Sequence, residues 1–253
     1  MQFKQTQIVK IGSQALFREG DHLDINKIND LAHSVKRLRD ERGVMSILVT
    51  SGAVALGKMN TTVSELNGSP LASRVAAAVG QFELMNLYKL SLGEDIAQIL
   101  ATHHSILSEE RRGPFIEMMN LLLGKGIFPV VNYNDAVDDY EITHVADFTD
   151  NDRLAEELAS MMKTDRVVIL SNVDGFMDGE GKLIEKVAAD ANYEELLSLC
   201  NGTSSKGTGG MRSKVAIAER LTKQGIEVIV GNSARDLEGL INGTIACTHF
   251  MPA

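Results

Sequence analysis

The chain has 253 residues and a formal net charge of −9 at pH 7, with 44% hydrophobic and 23% charged residues. This composition is typical of a globular protein and excludes disordered and collagen-like chains. The acidic balance, without a local basic patch, argues against nucleic acid as a partner. No apolar run reaches the roughly 18 residues of a membrane helix, and the N-terminus lacks the apolar core of a signal peptide. Cys200 and Cys247 form no metal-binding pair. We therefore expect a cytoplasmic protein that does not act at a membrane.

Short β-rich apolar runs alternate with segments of helical periodicity along the whole chain. The runs predict buried strands at 8–11, 44–49, 96–100, 127–131, 167–170 and 226–230. Because alternating strands and helices need crossover connections, the pattern predicts a mainly parallel central sheet covered by helices on both faces. The predicted class is an α/β three-layer αβα sandwich, with its site at the carboxyl ends of the strands. No repeat or linker interrupts the series, so we expect a single domain over residues 1–253.

Two segments, 60–70 and 132–149, lack clear periodicity. Long loops in a compact α/β domain usually bind ligands or cover sites, and so substrate contacts are expected there.

A glycine-rich segment, residues 207–214 (GTGGMRSK), opens the helix that precedes the predicted strand at 226–230. Glycines let a backbone approach a phosphate closely, and a helix N-terminus offers unpaired N–H groups with a positive dipole end. Lys214 lies one turn into this helix, where its ammonium reaches the same anion. The segment is equally compatible with a flexible surface loop.

Lys10 lies inside the first predicted strand and is followed by Gly12 and Ser13. Burying an ammonium without a partner costs several kcal/mol, about as much as the whole stability margin of a domain. An edge strand with a snorkelling lysine is the structural alternative, but it suits the first strand of the fold poorly. The position therefore favours a lysine that faces a phosphate.

Small residues, Thr50-Ser51-Gly52-Ala53, follow the second predicted strand and lead into a helix. Such a strand-to-helix turn exposes backbone donors. The following residues almost match a P-loop, but Met59 stands where that motif needs the hydroxyl that binds Mg²⁺. The P-loop interpretation is therefore disfavoured.

An acidic and amide-rich stretch runs from Asn132 to Asp135 and resumes at Asp150-Asn151-Asp152, where a helix begins. Either Asp150 or Asp152 could cap that helix, which is the usual role of Asp at such a position. The segment offers more polar groups than one cap uses, and the surplus suggests contacts to a ligand or to Mg²⁺.

Together and in order, these segments resemble the amino acid kinase family, and within it the gamma-glutamyl kinase (glutamate 5-kinase) branch. The resemblance covers essentially the whole chain. The segments that carry it are KIGS at 10–13, VTSGAV at 49–54, PVVNYNDAV at 129–137, DNDRL at 150–154 and GTGGM at 207–211.

The resemblance implies the amino acid kinase fold and transfer of the ATP γ-phosphoryl group to the side-chain carboxylate of L-glutamate, the first step of proline biosynthesis. It implies ATP and Mg²⁺ as cofactors, without identifying metal ligands. Asp150 is the carboxylate that the resemblance assigns to organising the two lysines and the metal. The implied catalytic residues are Lys10, Asp150 and Lys214. The implied glutamate-binding residues are Ser51, Gly52, Asp135 and Asn151. The implied ATP-binding residues are Lys10, Ser171, Asn172, Thr208, Gly209, Gly210, Met211, Arg212, Ser213 and Lys214.

The sequence departs from the branch pattern in several places. Tyr133 replaces the usual Glu, and Ser171-Asn172 replaces the usual Thr-Asp at a nucleotide contact. The loop at 136–149 is longer than usual, which suggests a modified substrate loop. Many members carry a C-terminal PUA domain, and we expect a form without one.

Two other interpretations remain open. Acetylglutamate, aspartate, carbamate and uridylate kinases resemble the same architecture, but a nucleotide acceptor calls for arginines where this chain has Asp and Asn. A noncatalytic nucleotide or amino acid sensor with this fold would not need both lysines. We expect L-glutamate and ATP as ligands, transient contact with glutamyl phosphate reductase and a homo-oligomer. The apolar segment 71–92 is either a dimer face or an ordinary core helix.

Overall fold

The computed structural model describes residues 3–18, 22–59, 62, 70–102, 109–137, 150–200 and 210–253. The strands among these residues are β1 (Gln5–Ile11), β2 (Phe17–Arg18), β3 (His22–Leu23), β4 (Val44–Val49), β5 (Ile96–Ala101), β6 (Phe128–Tyr133), β7 (Arg166–Ser171), β8 (Lys186–Val187), β9 (Glu227–Asn232) and β10 (Cys247–Phe250). The helices are α1 (Ser13–Leu16), α2 (Ile25–Arg37), α3 (Ala53–Lys58), α4 (Pro70–Leu92), α5 (Glu109–Gly124), α6 (Asp150–Met162), α7 (Tyr193–Leu199), α8 (Met211–Thr222) and α9 (Leu237–Ile241).

Within the described residues, eight strands form one sheet in the order β5-β6-β4-β1-β7-β9-β10-β8, and β2 and β3 form a separate hairpin. The pairs in the large sheet are parallel except for the antiparallel β9 and β10. The prediction of a mainly parallel sheet is confirmed. All six strands expected from the sequence are present; β4 has the predicted bounds, and the ends of the other strands differ from the prediction by at most three residues.

Helices cover both faces of the sheet centre. Every residue of β4 and of β6 is buried, and so are the last five residues of β1. Side chains of a strand alternate between the two faces, so continuous burial requires packing on both. The continuous apolar runs in the sequence arise from this arrangement, and the predicted αβα class is confirmed.

Strand β1 occupies the middle of the sheet, between β4 and β7. Its register pairs Lys10 with Val49 on one side and with Ile169 on the other. The alternative of an edge strand for Lys10 is therefore excluded. The carboxyl ends of β6, β4, β1 and β7 lie next to one another along one edge of the sheet.

Helices α3 and α4 approach each other at backbone distance. A Cβ atom added to Gly57 would lie 1.9 Å from the Ala76 carbonyl oxygen, and one added to Gly80 would lie 1.9 Å from the Ala53 carbonyl oxygen. Only glycine permits this separation. Helix α4 thus fixes the position of α3, which follows the turn at the end of β4.

The helical segment that begins with α2 ends at a glycine. A π-helical turn, Leu38–Arg42, extends the helix to Gly43, whose φ of 69° is the left-handed conformation expected at a helix end. Among the described residues, no helix is both long enough and apolar enough to cross a membrane.

Candidate active site

The site begins with two lysines from different elements that bind one carboxylate. Lys10 of β1 and Lys214 of α8 are 4% and 7% exposed, and Asp152 of α6 is fully buried. Lys10 Nζ forms an ion pair with Asp152 Oδ1, and Lys214 Nζ donates to Asp152 Oδ2 at 3.1 Å. Helix α6 packs on β1 and also contacts α8, which brings these side chains together.

The cluster of Lys10, Asp152 and Lys214 combines two ammonium groups with one carboxylate. Burial lowers the pKa of Lys10, and nearby Lys214 lowers it further, although Asp152 opposes both effects. Burial acts on the pKa of Asp152 in the upward direction, but the two lysines outweigh it, and the pKa lies below its ordinary value. Asp152 is therefore ionised at neutral pH. Two ammonium groups that meet at one buried point suit the binding of a phosphate.

Room for an anion is provided beside Lys10. A Cβ atom added to Gly12 would lie 3.3 Å from Lys10 Nζ, so glycine keeps this side of the ammonium clear. Gly12 is also the residue from which α1 begins, directly after β1.

The structure places Asp152 between the two lysines, whereas the sequence analysis expected Asp150 to organise them. Asp150 is the first residue of α6, and its side chain lies outside the described part of the structure. Asp152 is two residues further along the helix. The sequence analysis identified the segment without assigning a role to Asp152, and its catalytic assignment of Asp150 remains a prediction.

Two of the predicted glutamate-binding residues contact each other. Asn151 Nδ2 donates to Ser51 Oγ at 2.7 Å, joining the start of α6 to the turn after β4. Asn151 is 8% exposed, and its Oδ1 has no hydrogen-bond partner among the described atoms. Gly52 begins α3 with a φ of 108°, a conformation that glycine adopts without strain. The turn therefore presents a side-chain hydroxyl next to an unsatisfied amide oxygen.

Asp135, the third predicted glutamate-binding side chain, lines a cavity of about 200 Å³ at the end of β6. Ala53, Gln81, Gln98 and Asn134 also line this cavity. It combines a carboxylate and amides with alanines and with the larger side chains of Phe82, Leu100 and Tyr133. Such a lining suits a small zwitterion better than a polyanion.

The start of α8 contains the described part of the predicted nucleotide segment. Gly210 precedes the helix in an extended conformation, and Met211 is its first residue. Ser213 is 3% exposed, and its Oγ has no hydrogen-bond partner among the described atoms. Arg212 is exposed and donates to the Leu197 carbonyl at 2.8 Å, so it binds α7. Thr208 and Gly209 lie outside the described residues, and their predicted roles are untested.

Ser171 is the last residue of β7 and Asn172 follows it, on the side of β1 opposite Ser51. Ser171 Oγ donates to Asn172 Oδ1 at 3.4 Å, and Asn172 is exposed. Contact of these two residues with a nucleotide remains a prediction.

The family model of the amino acid kinase family matches residues 5–232 of the chain. The chain belongs to this family. It is 30% identical over 254 residues to glutamate 5-kinase of Clostridium perfringens, covering 96% of this chain and 94% of that protein. It is 32% identical over 254 residues to glutamate 5-kinase of Lactococcus lactis subsp. lactis, covering 96% of this chain and 93% of that protein.

Solved structures show the same amino acid kinase fold at lower identity. UMP kinase from Ureaplasma parvum superimposes with a TM-score of 0.62 at 16% identity, covering 98% of this chain and all of the other. Carbamate kinase from Giardia lamblia bound to AMP-PNP gives a TM-score of 0.68 at 12% identity, and each chain is covered completely. At such identities the likeness concerns the fold alone.

The described part of this amino acid kinase does not by itself form a metal site. Within the described ranges, no group of three His, Cys, Asp or Glu side chains converges in a way that could bind a metal ion. Asp152 is the buried carboxylate at the centre, and both of its oxygens face lysine ammonium groups. The predicted Mg²⁺ therefore does not fit these residues alone, and no reaction step is derived through it.

Two residues of the site escaped the sequence analysis. Gln81 of α4 accepts a hydrogen bond from Asn132 Nδ2 at 2.8 Å, and Tyr88 of α4 donates to Thr50 Oγ1 at 2.9 Å. Both side chains lie on the strand-facing side of α4. Their spacing of seven residues, two helical turns, was the available signal.

Proposed function

We propose that this chain transfers the γ-phosphoryl group of ATP to the side-chain carboxylate of L-glutamate, forming L-glutamyl 5-phosphate and ADP in the first step of proline biosynthesis. The observation that carries the proposal is the buried cluster in which the Lys10 and Lys214 ammonium groups meet at Asp152, at the middle of the sheet edge. The glutamate 5-kinase relatives support the choice of acceptor.

The strand order supports a site divided in two. Ser51 and Asp135 follow β4 and β6 on one side of β1, whereas Ser171 and Asn172 lie at the end of β7 on the other. In the proposal, glutamate binds on the first side and ATP on the second. Lys10 then stands on the strand between them, where the phosphoryl group passes.

The chemistry requires no catalytic base. The glutamate side chain is ionised at neutral pH, so its oxygen attacks the γ-phosphorus without losing a proton. A bond forms between that oxygen and phosphorus, while the bond between phosphorus and the β–γ bridging oxygen breaks and its electron pair leaves with ADP. The enzyme must align two anions and neutralise the negative charge on the migrating group.

Each element of the site has a task in this reaction. Lys10 and Lys214 stabilise charge on the migrating phosphoryl group, and Asp152 keeps their ammonium groups apart and oriented. Asp135 pairs with the α-ammonium of glutamate, while Ser51 and Asn151 bind its polar groups. The N–H groups at the start of α8, beside Ser213, bind ATP phosphates. The predicted Mg²⁺, for which the described residues offer no ligand cluster, would have to arrive bound to ATP and would add to the charge neutralisation.

Trapping the product tests the proposed acceptor directly. Enzyme, Mg·ATP and hydroxylamine are incubated with glutamate, aspartate, acetylglutamate or uridylate, and hydroxamate and ADP are measured. An acyl phosphate reacts with hydroxylamine, so glutamate should give γ-glutamyl hydroxamate in amounts that match ADP. Hydroxamate with another acid but not with glutamate, or ADP release with uridylate alone, would contradict the proposal.

Substitution of Lys214 tests its proposed role, and substitution of an exposed lysine on the same segment is the matched control. Lys214→Ala should lower kcat with glutamate by about 10²–10³-fold because one contact to the migrating charge is lost. Lys223 is exposed and directly follows α8, so Lys223→Ala should leave kcat unchanged. Equal rates for the two variants would remove Lys214 from the mechanism.

The remaining expectations concern the surroundings of the enzyme. The acyl phosphate is labile, which favours a reductase as its consumer and transient contact between the two proteins. The cytoplasmic location and the homo-oligomeric state also remain predictions.

A further inference from the structure

A buried tyrosine on α4 is hydrogen-bonded to the turn that carries Ser51. Tyr88 is 0% exposed, and its hydroxyl donates to Thr50 Oγ1 at 2.9 Å. Burial raises the pKa of Tyr88 to about 12, although the bond to Thr50 opposes this effect. The hydroxyl therefore remains a donor throughout the neutral range.

Thr50 connects the Tyr88 hydroxyl to the next residue, Ser51, through a second hydrogen bond. Its own hydroxyl donates to the Ser51 carbonyl at 3.3 Å, and its backbone N–H donates to the Val131 carbonyl at 3.0 Å. Because Thr50 Oγ1 accepts from Tyr88, its proton is directed away from Tyr88 and towards Ser51. The two bonds form a relay from α4 to the backbone of the turn.

Ser51 has a second constraint on its side chain, since Ser51 Oγ accepts from Asn151 Nδ2 at 2.7 Å. The relay fixes the backbone of Ser51, and Asn151 fixes its hydroxyl. A phenylalanine at position 88 would fill nearly the same volume without the relay. A buried hydroxyl is unfavourable unless it is hydrogen-bonded, so its presence here serves that bond.

We propose that Tyr88 is a positioning residue for the glutamate site, acting through Thr50 to orient Ser51 towards the substrate. The inference rests on the proposed function. Tyr88 touches neither substrate, and its influence is restricted to the side of β1 where glutamate binds. Its removal should therefore change the KM for glutamate and leave the KM for ATP unaltered.

Two substitutions test the relay from its two ends. Tyr88→Phe and Thr50→Val should each raise the KM for glutamate about threefold to tenfold, the equivalent of one lost hydrogen bond. Thr50→Ser retains the hydroxyl and should keep the KM of the wild type. Both changes break the same relay. The double variant Tyr88→Phe/Thr50→Val should therefore have a KM for glutamate no higher than that of whichever single variant has the higher KM.

A second Tyr–Thr relay provides the matched control. The hydroxyl oxygen of Tyr193, on α7, lies 3.1 Å from Thr222 Oγ1, and the Thr222 hydroxyl donates to the Ala218 carbonyl at 2.8 Å. Tyr193→Phe removes an equivalent buried hydroxyl, and so it should lower the melting temperature without changing the KM for glutamate.

The outcomes separate the inference from the function beneath it. A glutamate KM for Tyr88→Phe within about twofold of wild type, an equal rise in Tyr193→Phe, or additive effects in the double variant would overturn the role of Tyr88 while wild-type activity stands. A folded wild type that gives no γ-glutamyl hydroxamate would overturn both the proposed function and this inference. Thr50→Val decides the matter if Tyr88→Phe does not fold.

Discussion

At the scale of single residues, the central feature is one carboxylate facing two ammonium groups in a buried site. Removing a lysine would leave Asp152 with one partner of opposite charge. Removing the carboxylate would leave two buried cations facing each other, which costs more because like charges in a medium of low dielectric repel strongly. Asp152 is therefore the member on which both stability and the arrangement of charge depend.

Asp152→Asn should lower kcat by about 10²–10³-fold and destabilise the fold by about 3–5 kcal/mol. The physical reason is the loss of the charge that orients Lys10 and Lys214. Steady-state kinetics and urea denaturation measure the two effects. Asp150→Asn is the matched variant at the same helix start, and a smaller loss of kcat is expected for it. A loss of kcat confined to Asp150→Asn would contradict the role assigned to Asp152.

Because the pKa of Asp152 is lowered in the folded state, we expect the free energy of unfolding to depend on pH. The pKa of Asp152 is lower in the folded state than its ordinary value of 3.8, so its stabilising contribution is complete above that value. The contribution declines below pH 3.8 and is lost as the pH falls through the folded-state pKa. The difference in free energy of unfolding between wild type and Asp152→Asn should therefore be constant from pH 5 to 7, about the range where many folds are most stable, and shrink in acid.

Denaturant titrations at a series of pH values measure this difference. Subtraction of the variant removes the contributions of other titrating groups that both proteins share. A difference that is independent of pH down to complete acid unfolding would show that Asp152 is not stabilised as a carboxylate.

The sequence could locate this cluster only in part. Lys10 and Lys214 were identified from a buried-strand position and a glycine-rich helix start. The sequence could not decide between Asp150 and Asp152, because both lie in the first turn of the same helix. Residues two apart on a helix point about 200° apart. Only the packing of α6 on β1 decides which of them faces the lysines.

At the scale of elements, α4 controls the turn after β4 in two ways. It contacts α3 through Gly57 and Gly80, and it bonds Thr50 through Tyr88. Both contacts depend on where α4 lies relative to β4. The helix itself was foreseen from the apolar segment at 71–92, but its polar contacts were hidden among the apolar residues.

Gly80→Ala should destabilise the protein by about 1–3 kcal/mol or more because the added methyl would lie against the Ala53 backbone and force the helices apart. It should also raise the KM for glutamate, since α3 and the turn before it must move. Chemical denaturation and kinetics measure the two effects.

Gly124→Ala is the control for this substitution. Gly124 ends α5, and nothing lies within 4 Å of an added Cβ atom. The variant should be unchanged or more stable by up to about 1 kcal/mol, because alanine favours the helix. Equal stabilities of the two alanine variants would show that α3 and α4 can separate without cost.

Which strands the sequence revealed follows from their surroundings. The six predicted strands belong to the parallel part of the sheet, and in all of them except the edge strand β5, burial on two faces accounts for the continuous apolar runs. Strands β8 and β10 of the same sheet were missed. Strand β8 has only two residues, and β10 includes Thr248 and His249, so neither carries an apolar run. Their pairing with other strands places them in the sheet, and this information is not local.

At the scale of the whole molecule, the strand order separates the predicted acceptor residues from the predicted nucleotide residues. Asp135 follows β6 on one side of β1, while Ser213 lies on α8, whose following strand, β9, is on the other side. Substitutions on the two sides should therefore affect different substrates.

Asp135→Asn should raise the KM for glutamate at least about tenfold, since a charge partner of the substrate is lost, with the KM for ATP unchanged. Ser213→Ala should raise the KM for ATP and leave that for glutamate unchanged. Initial rates over a grid of both substrate concentrations measure the four constants. If either variant altered both constants equally, the division of the site by β1 would be wrong.

The position of β10 has a consequence for how the chain acquires its structure. Among the described residues, β8 joins the sheet only by pairing with β10, and β10 also pairs with β9. During synthesis, β8 leaves the ribosome well before its partner exists. The nascent chain can assemble β1, β4, β6 and β7 early, but β8 gains its partner only when β10 has been synthesised, close to the end of the chain. The edge of the sheet that contains β8 is therefore the last part of the sheet to form.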